Sequence, residues 1–306
     1  MGGMRTPPPR SVALIAFLVL VWGTTWPVYK LALNDTPPLL FAGMRTLLGG
    51  IGLVMVMLPR WREIRWRACW RMYLISCVFN VILFFGLQTV GLTFLPEGLF
   101  SVLVYLEPVL VGLLAWLWLR EQISAAKIAG LLLGFVGVAA ASAGNLRAGA
   151  SFTGIAIALI TAAEWAVGTV YLKRIQGKAD LLWLVAIQFT LGGAVLTGLG
   201  LCTERWADIH WTPAYGFGLL YGAVFGVALS WIVWFRLVQS GEASRVVAIT
   251  FLVPLIAVAC GVVFLHEPFN KSLLIGLVLI IAGIWLVNRR SVPRRPRTQG
   301  WSPGTL

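Results

Sequence analysis

Charge is absent from this sequence over stretches as long as a membrane is thick. No Asp, Glu, Lys or Arg occurs from 11 to 29, from 72 to 96, from 181 to 203 or from 209 to 235. A helix rises about 1.5 Å per residue, so about 20 apolar residues cross a hydrocarbon core about 30 Å thick. Charged residues make up 11% of the 306 and hydrophobic ones 59%, against about 25% charged in soluble domains. That excludes a soluble fold of this size.

Cutting the chain wherever charge, Pro or Asn/Asp clusters interrupt the apolar runs gives ten segments, near 11 to 33, 37 to 58, 70 to 91, 96 to 118, 125 to 144, 152 to 172, 181 to 202, 214 to 237, 243 to 265 and 270 to 288. The connections are too short to fold as separate catalytic or receptor modules, so any chemistry lies among the helices. The first run follows Arg5 and Arg10 but is longer than the apolar part of a signal peptide and lacks a small-residue cleavage site, so it reads as the first helix.

The net charge of +13 reads as topology. With a cytoplasmic N-terminus, one face receives Arg5, Arg10, Arg60, Arg62, Arg65, Arg67, Arg71, Arg120, Lys127, Lys173, Arg174, Lys178, Arg236, Arg245, Arg289, Arg290, Arg294, Arg295 and Arg297, which is 19 of the 24 cations. Lys30, Arg147, Arg205 and Lys271 go to the other face, and Arg45 stays inside a span. The positive-inside rule then puts both termini in the cytoplasm. The basic run from Pro59 to Arg67 and the basic tail read as loops touching anionic lipid, not as a nucleic-acid site. Cys69, Cys77, Cys202 and Cys260 show no CxxC spacing, and His210 and His266 fall in loops, so no metal, disulfide or cofactor is implied.

At a fixed offset of 146 residues the two halves pair Phe79 with Phe225, Leu83 with Leu229, Pro108 with Pro254, Leu119 with Leu265, Glu121 with Glu267, Gly130 with Gly276 and Gly137 with Gly283. Near the starts of the halves the offset drifts to 143, matching Trp22 with Trp165 and Lys30 with Lys173. Five spans per half force the second half to enter the membrane inverted, so that one sequence pattern can build two opposed gates around a central site. Pro108 and Pro254 fall at matched mid-helix positions, where each removes a backbone hydrogen bond and kinks the span; they are candidates for a gate as much as for fixed structural kinks. The expected fold is an all-α membrane protein of ten transmembrane helices, two inverted five-helix repeats around a central cavity. Residues 11–146 form the first repeat and 147–288 the second, between a cytoplasmic N-tail at 1–10 and a basic cytoplasmic C-tail at 289–306.

The chain also resembles the drug/metabolite transporter superfamily, in its ten-helix EamA-type branch, over about residues 11 to 289. The resemblance rests on Val-Trp-Gly-Thr-Thr-Trp-Pro at Val21 to Pro27, Pro-Leu-Leu-Phe-Ala-Gly-Met-Arg-Thr at Pro38 to Thr46, Leu-Glu-Pro at Leu106 to Pro108 and Leu-Arg-Glu at Leu119 to Glu121. The second half echoes these with Leu-Val-Pro at Leu252 to Pro254 and Leu-His-Glu at Leu265 to Glu267. It implies a secondary carrier, with the substrate between two inverted halves and amino acids or similar small metabolites as cargo. Relatives that carry phosphorylated sugars or nucleotide-sugars depend on basic cavity residues; here Arg45 is the one candidate, which argues against a highly anionic cargo. The YddG-type aromatic amino-acid exporters are closest in plan, with Glu107 standing where their Tyr-Leu-Trp-Pro segment has an aromatic residue.

Three charges lie at similar depth. Arg45 is roughly 13 Å from the outer end of its span, and Glu107 and Glu164 roughly 16 to 18 Å. Each ion facing lipid there would cost about 3 kcal/mol, so all three are expected to face the bundle interior or one another. Glu107 and Glu164 are candidate cavity residues, able to receive a substrate ammonium group or a proton; as salt-bridge partners of Arg45 they would be structural instead. Arg45 is expected to hold helices together.

Asn80, Phe84 and Gln88 recur every four residues on the third span, and Thr161, Trp165 and Thr169 on the sixth. Trp22 and Trp26 pair on the first, while Tyr105 and Phe251 flank the two kinks. The substrate-binding candidates are therefore Trp22, Asn80, Phe84, Gln88, Tyr105, Glu107, Glu164, Trp165 and Thr169. Trp61, Trp66, Trp70, Trp206, Trp211 and Trp285 read as interfacial anchors. Gly218, Gly222 and Gly226, and Gly130 with Gly134, read as close-packing faces within one chain in preference to dimer contacts, which predicts a monomer.

The function expected is export of small metabolites, amino acids first and aromatic or other neutral ones among them, by alternating access across a bacterial inner membrane, with protons as a candidate partner. The alternatives are export of other organic metabolites or drugs, and a channel, for which the sequence offers no charged ring or filter. An intramembrane enzyme would need converging nucleophiles, bases or metal ligands, and no His lies in a span.

Overall fold

A computed structural model describes residues 9–95, 97–141, 151–241, 243–264 and 271–288. Both predicted tails beyond these, together with Arg147, Leu265, His266 and Glu267, lie outside the described residues.

Among the described residues every regular element is helical. They are α1 (Pro9–Ala32), α2 (Pro38–Met57), α3 (Trp66–Cys77), α4 (Phe84–Phe94), α5 (Glu97–Val104), α6 (Glu107–Leu119), α7 (Ala125–Ala141), α8 (Phe152–Arg174), α9 (Leu181–Thr203), α10 (Pro213–Tyr221), α11 (Ser230–Ser240), α12 (Ala243–Val247), α13 (Val253–Phe264) and α14 (Lys271–Asn288). Seven helical stretches are long and apolar enough to cross a membrane, and two shorter apolar helices accompany them at Ala125–Ala140 and Leu274–Asn288. Their outward faces are apolar: Met55, Val56, Leu117, Leu132, Val278 and Ile281 are all exposed. Such a surface suits lipid as the surrounding medium.

The ends of the helices are set by polar capping. Asp180 Oδ1 accepts from Trp183 N at 2.9 Å at the start of α9, and Thr212 Oγ1 from Tyr215 N at 3.1 Å at the start of α10. Two other N-termini are capped by a carboxylate from a different helix. Glu204, just past α9, accepts from the amides of Leu39 and Leu40 at 2.9 and 2.8 Å. Glu121, just past α6, accepts from Ala243 N at 2.7 Å and Ser244 Oγ at 2.6 Å.

Two pairs of equivalent helices pack on each other, α2 on α9 and α7 on α14, while the first helix of each half packs on the fourth span of the other, α1 on α13 and α8 on α6. Glycines allow the α7–α14 approach, since a Cβ at Gly130 would stand 2.7 Å from the carbonyl oxygen of Gly283. The Gly218 to Gly226 face likewise packs inside the chain, against Ala32 and Tyr29 of α1.

Against the ten spans expected, seven stretches among the described residues meet the length and polarity of a crossing, and two details depart from continuous helices. The prolines do more than kink their spans. Pro108 stands in the first turn of α6 and Pro254 in the first turn of α13, so each span is broken, the first between α5 and α6 and the second by a 3₁₀ turn over Ala248–Leu252. Each proline leaves the carbonyl four residues upstream without its helical donor, which permits the break. Wide π-helical turns, over Val78–Leu83 between α3 and α4 and over Gly222–Leu229 between α10 and α11, were not foreseen. They too lie at positions related by the 146-residue offset.

Candidate functional site

The unbroken helices α1 and α8, the second π turn and the Pro108 break converge on one small chamber. Its wall is made by Trp22, Thr25, Trp26 and Tyr29 from α1, Phe84, Phe85 and Gln88 from α4, Tyr105 between α5 and α6, Trp165 from α8, Gly226 from the second π turn, and Trp231 from α11. Eight of these eleven side chains are aromatic. Their rings interlock: Trp22 lies 5.7 Å from Trp165 and 5.3 Å from Trp234, Phe84 lies 4.8 Å from Trp165, and Trp231 lies 5.6 Å from both Phe84 and Phe85. Such edge-on and tilted contacts hold the rings in fixed orientations. The chamber is thus apolar and rigid, with Gln88 as its one amide; the Gln88 Oε1 is buried and has no hydrogen-bond partner.

Of the residues expected to bind substrate, Trp22, Phe84, Gln88, Tyr105 and Trp165 line this chamber. Asn80, Glu107, Glu164 and Thr169 do not; they form a buried polar layer in the wall behind it. Thr169 Oγ1 donates to Glu107 Oε1 at 3.4 Å, Glu164 stands on α8, which packs on α6, and Asn80 packs against Gly168 while its Nδ2 donates to Ser76 Oγ at 3.2 Å. The reason is helical phase. Thr169 stands one four-residue step, about 40° of rotation, beyond Trp165, and Asn80 lies in the wide π turn, where the 3.6-residue period does not hold. Glu107 is 0% and Glu164 6% exposed, and Glu107 Oε2, both Glu164 oxygens and Asn80 Oδ1 have no hydrogen-bond partner.

Arg45 is elsewhere. It is 1% exposed, and its guanidinium lies 4.0 Å from the Tyr29 ring centre, 4.8 Å from Phe85 and 5.3 Å from Phe41. Nη2 donates to Thr89 Oγ1 at 3.0 Å, while Nε and Nη1 are without partners. The ion pairs among the described residues are Arg60–Glu63 and Lys127–Glu121. The expected alternative of an Arg45 salt bridge to either glutamate is therefore corrected: equal depth does not bring helices with different azimuths into contact.

Tyr29, Phe85 and Trp231 were missed as lining residues. Trp231 was within reach of the repeat, since it is the mate of Phe85 at the 146-residue offset. Tyr29 extends the Trp22 and Trp26 face by one further turn. Pro108 and Pro254 are both buried; Tyr105, before the first, lines the chamber, whereas its mate Phe251 packs against Gly134 of α7.

A multi-pass chain of apolar helices around a small internal chamber has the build of a membrane transport protein, and comparison with known proteins supports that class. The sequence profile of the EamA-like transporter family matches residues 10–143 and again 152–289, and the chain belongs to this family. It is 48% identical over 296 residues to the uncharacterized transporter YvbV of Bacillus subtilis, covering 97% of each chain. It is 26% identical over 295 residues to the probable amino-acid metabolite efflux pump of Salmonella typhimurium, covering 89% of this chain and 93% of that one. A crystal structure of a protein 17% identical in sequence superposes with a TM-score of 0.78, covering 92% of this chain and 97% of that one, which establishes likeness of fold.

Proposed function

We propose that the protein is a secondary carrier that exports amino acids, neutral and aromatic ones first, by alternating access between two inverted five-helix repeats at 11–146 and 147–288. The observation that carries this reading is the aromatic chamber beside the break at Pro108, a break that recurs at the matched Pro254. Broken helices at corresponding positions of two repeats are a recurrent setting for transporter sites, and an aromatic wall with a single amide suits an apolar side chain. The efflux pump among the relatives supports amino acids as cargo. The carrier works as a monomer, without a cofactor, in a bacterial inner membrane with both termini cytoplasmic. A proton is a second partner, taken up and released at Glu107 and Glu164, the first of which accepts a hydrogen bond from Thr169.

Counterflow in proteoliposomes tests the reading. Vesicles loaded with a neutral amino acid are expected to accumulate the same labelled compound, and unitary currents in bilayers are expected to be absent. Failure with every amino acid, alongside flux of planar organic drugs through the same aromatic chamber, would replace the amino-acid reading by drug export. Unitary currents would replace the carrier by a channel. Replacing Glu107 or Glu164 by Gln is expected to abolish the dependence of flux on a proton gradient; unchanged dependence removes the proton from the cycle.

A further inference from the structure

The two halves meet in contacts of two kinds, those that run the length of a helix pair and those confined to one end. α2 and α9 make the first kind: a Cβ at Gly50 or Gly193 would run into the backbone of Thr190 or Leu47, so the two helices interlock. The bonds from Leu39 and Leu40 to Glu204 fasten the end of that fixed pair. The joint between α6 and α12 is of the second kind. The second half touches α6 there through a helix of five residues, while α13, the continuation of the same span, packs on α1. Successive spans run in opposite directions, so this joint lies at the end of the bundle where α1 begins. The chamber residues of α1, Trp22 to Tyr29, lie in the later half of that helix, toward the other end.

A strained turn sets the bridging residue. Arg120, with φ 56° and ψ 29°, is the one non-glycine residue of positive φ among the described residues. That conformation is usually left to glycine; here it lets the amides of Arg120 and Glu121 both return to the carbonyl of Ala115 as α6 ends. Glu121 then spans the joint. Its Oε1 accepts at 2.7 Å from Ala243 N, a first-turn amide with no acceptor inside its own helix, and its Oε2 accepts from Ser244 Oγ at 2.6 Å and lies 3.5 Å from Lys127 Nζ. We infer that Glu121 is the latch of a gate: it holds α12 on α6 while the carrier is closed at the end where α1 begins, and its bonds part when that end opens. This rests on the carrier reading above and adds a resting state to it. The carboxylate side chain is 12% exposed, so water can replace its partners when they separate. The latch is also one-ended. At the 146-residue offset Glu267 is the mate of Glu121, but Ala243 and Ser244 correspond to Glu97 and Gly98, which offer it a like charge and no hydroxyl. The resting carrier is therefore biased toward closure at the Glu121 end, the cytoplasmic one in the orientation proposed above.

Spin labels on Gln122 and Ser240, both exposed at this end, report its width by double electron–electron resonance in lipid nanodiscs. Wild-type protein is expected to show mainly the short distance, and Glu121→Ala to raise the ratio of long to short about tenfold. Glu204→Gln, at the fixed pair, is expected to lower the melting temperature and leave that ratio unchanged. A folded Glu121→Ala with the wild-type distances overturns the inference. If Glu121→Ala does not fold, Ser244→Ala removes one bond of the latch and is expected to shift the ratio in the same direction by less; no shift overturns the inference equally. Counterflow supplies the second arm. Glu121→Cys combined with Ser244→Cys, bridged by a short bis-methanethiosulfonate reagent, is expected to lose flux by about tenfold or more and to regain it on reduction, with each single cysteine variant unaffected by the reagent. Bridged protein that carries cargo at the unbridged rate makes the joint a fixed part of the scaffold and overturns the latch. If no amino acid is carried at all, the proposed cargo falls, and the distances still decide the latch.

Discussion

The Pro108 and Pro254 breaks are the same backbone device carrying opposite chemistry. Each proline opens a short helix in its first turn, each is preceded by a buried aromatic residue, Tyr105 or Phe251, and each short helix packs on the long helix that starts the other half, α6 on α8 and α13 on α1. Where Glu107 stands beside Pro108, its mate beside Pro254 is Val253; where Glu164 stands on α8, the residue of α1 at the 143-residue offset is Val21. Both valines are buried. One break thus faces a buried polar layer and the other is dry. The difference separates two requirements that a single site would confound: the break is a property of the fold, present in both halves, whereas the carboxylates occur beside one break alone. Unsatisfied buried polar groups cost about 1–3 kcal/mol each, so a pair retained at such cost is better explained by what it binds than by what it holds together.

The largest effect is expected from making the dry break polar. Val253→Glu puts a carboxyl group at a 0% exposed position with no counterpart of Glu164 or Thr169 beside it. The loss of stability is expected to be about 3–5 kcal/mol, the cost of an uncompensated buried charge, read as a lower melting temperature in detergent. A neutral outcome would mean that the Pro254 break is wet and that the contrast drawn here is absent.

The reverse exchange, Glu107→Val, makes the polar break dry. Stability is expected to be unchanged or higher, because replacing a buried charge by an apolar side chain of suitable size is often neutral or stabilising. Flux of a zwitterionic substrate is expected to drop by about tenfold, equivalent to about 1.4 kcal/mol. A variant that is less stable and carries substrate at the wild-type rate would assign Glu107 to the scaffold.

Much of the fold is legible in the sequence because desolvating a charge is the dominant cost in a membrane. α9, Leu181–Thr203, lies between Asp180 and Glu204, and the last turn of α8 carries Lys173 and Arg174. Azimuth is not legible: the sequence puts Arg45, Glu107 and Glu164 at similar depths, yet Arg45 stacks under Tyr29 while the acids stand on α6 and α8, which pack on each other. The π turn at Val78–Leu83 adds one residue to a turn without changing hydropathy, so nothing in the pattern announces that it resets the phase between Asn80 and Gln88. Trp231 was recoverable only by carrying the repeat offset across from Phe85. What the sequence supplied about the chamber was its chemistry, aromatic and sparsely polar; which rings face inward depends on the breaks and the π turns.

The smallest effect is expected from Thr169→Val, which sharpens the contrast within the polar break itself. The hydroxyl of Thr169 is the one donor to Glu107 among the described residues, at 3.4 Å, a long contact. Valine keeps the shape and removes the donor, so the stability change is expected to be about 0.5–1.5 kcal/mol or less. If that hydroxyl serves only to satisfy Glu107, then Thr169→Val changes flux in the wild-type background and leaves it unchanged in Glu107→Val, where there is no carboxylate left to orient. A double-mutant cycle on counterflow rates reads this coupling directly. Equal effects in both backgrounds would mean that Thr169 acts on the substrate or on α8 by itself, and the polar layer would then be two independent sites in place of one.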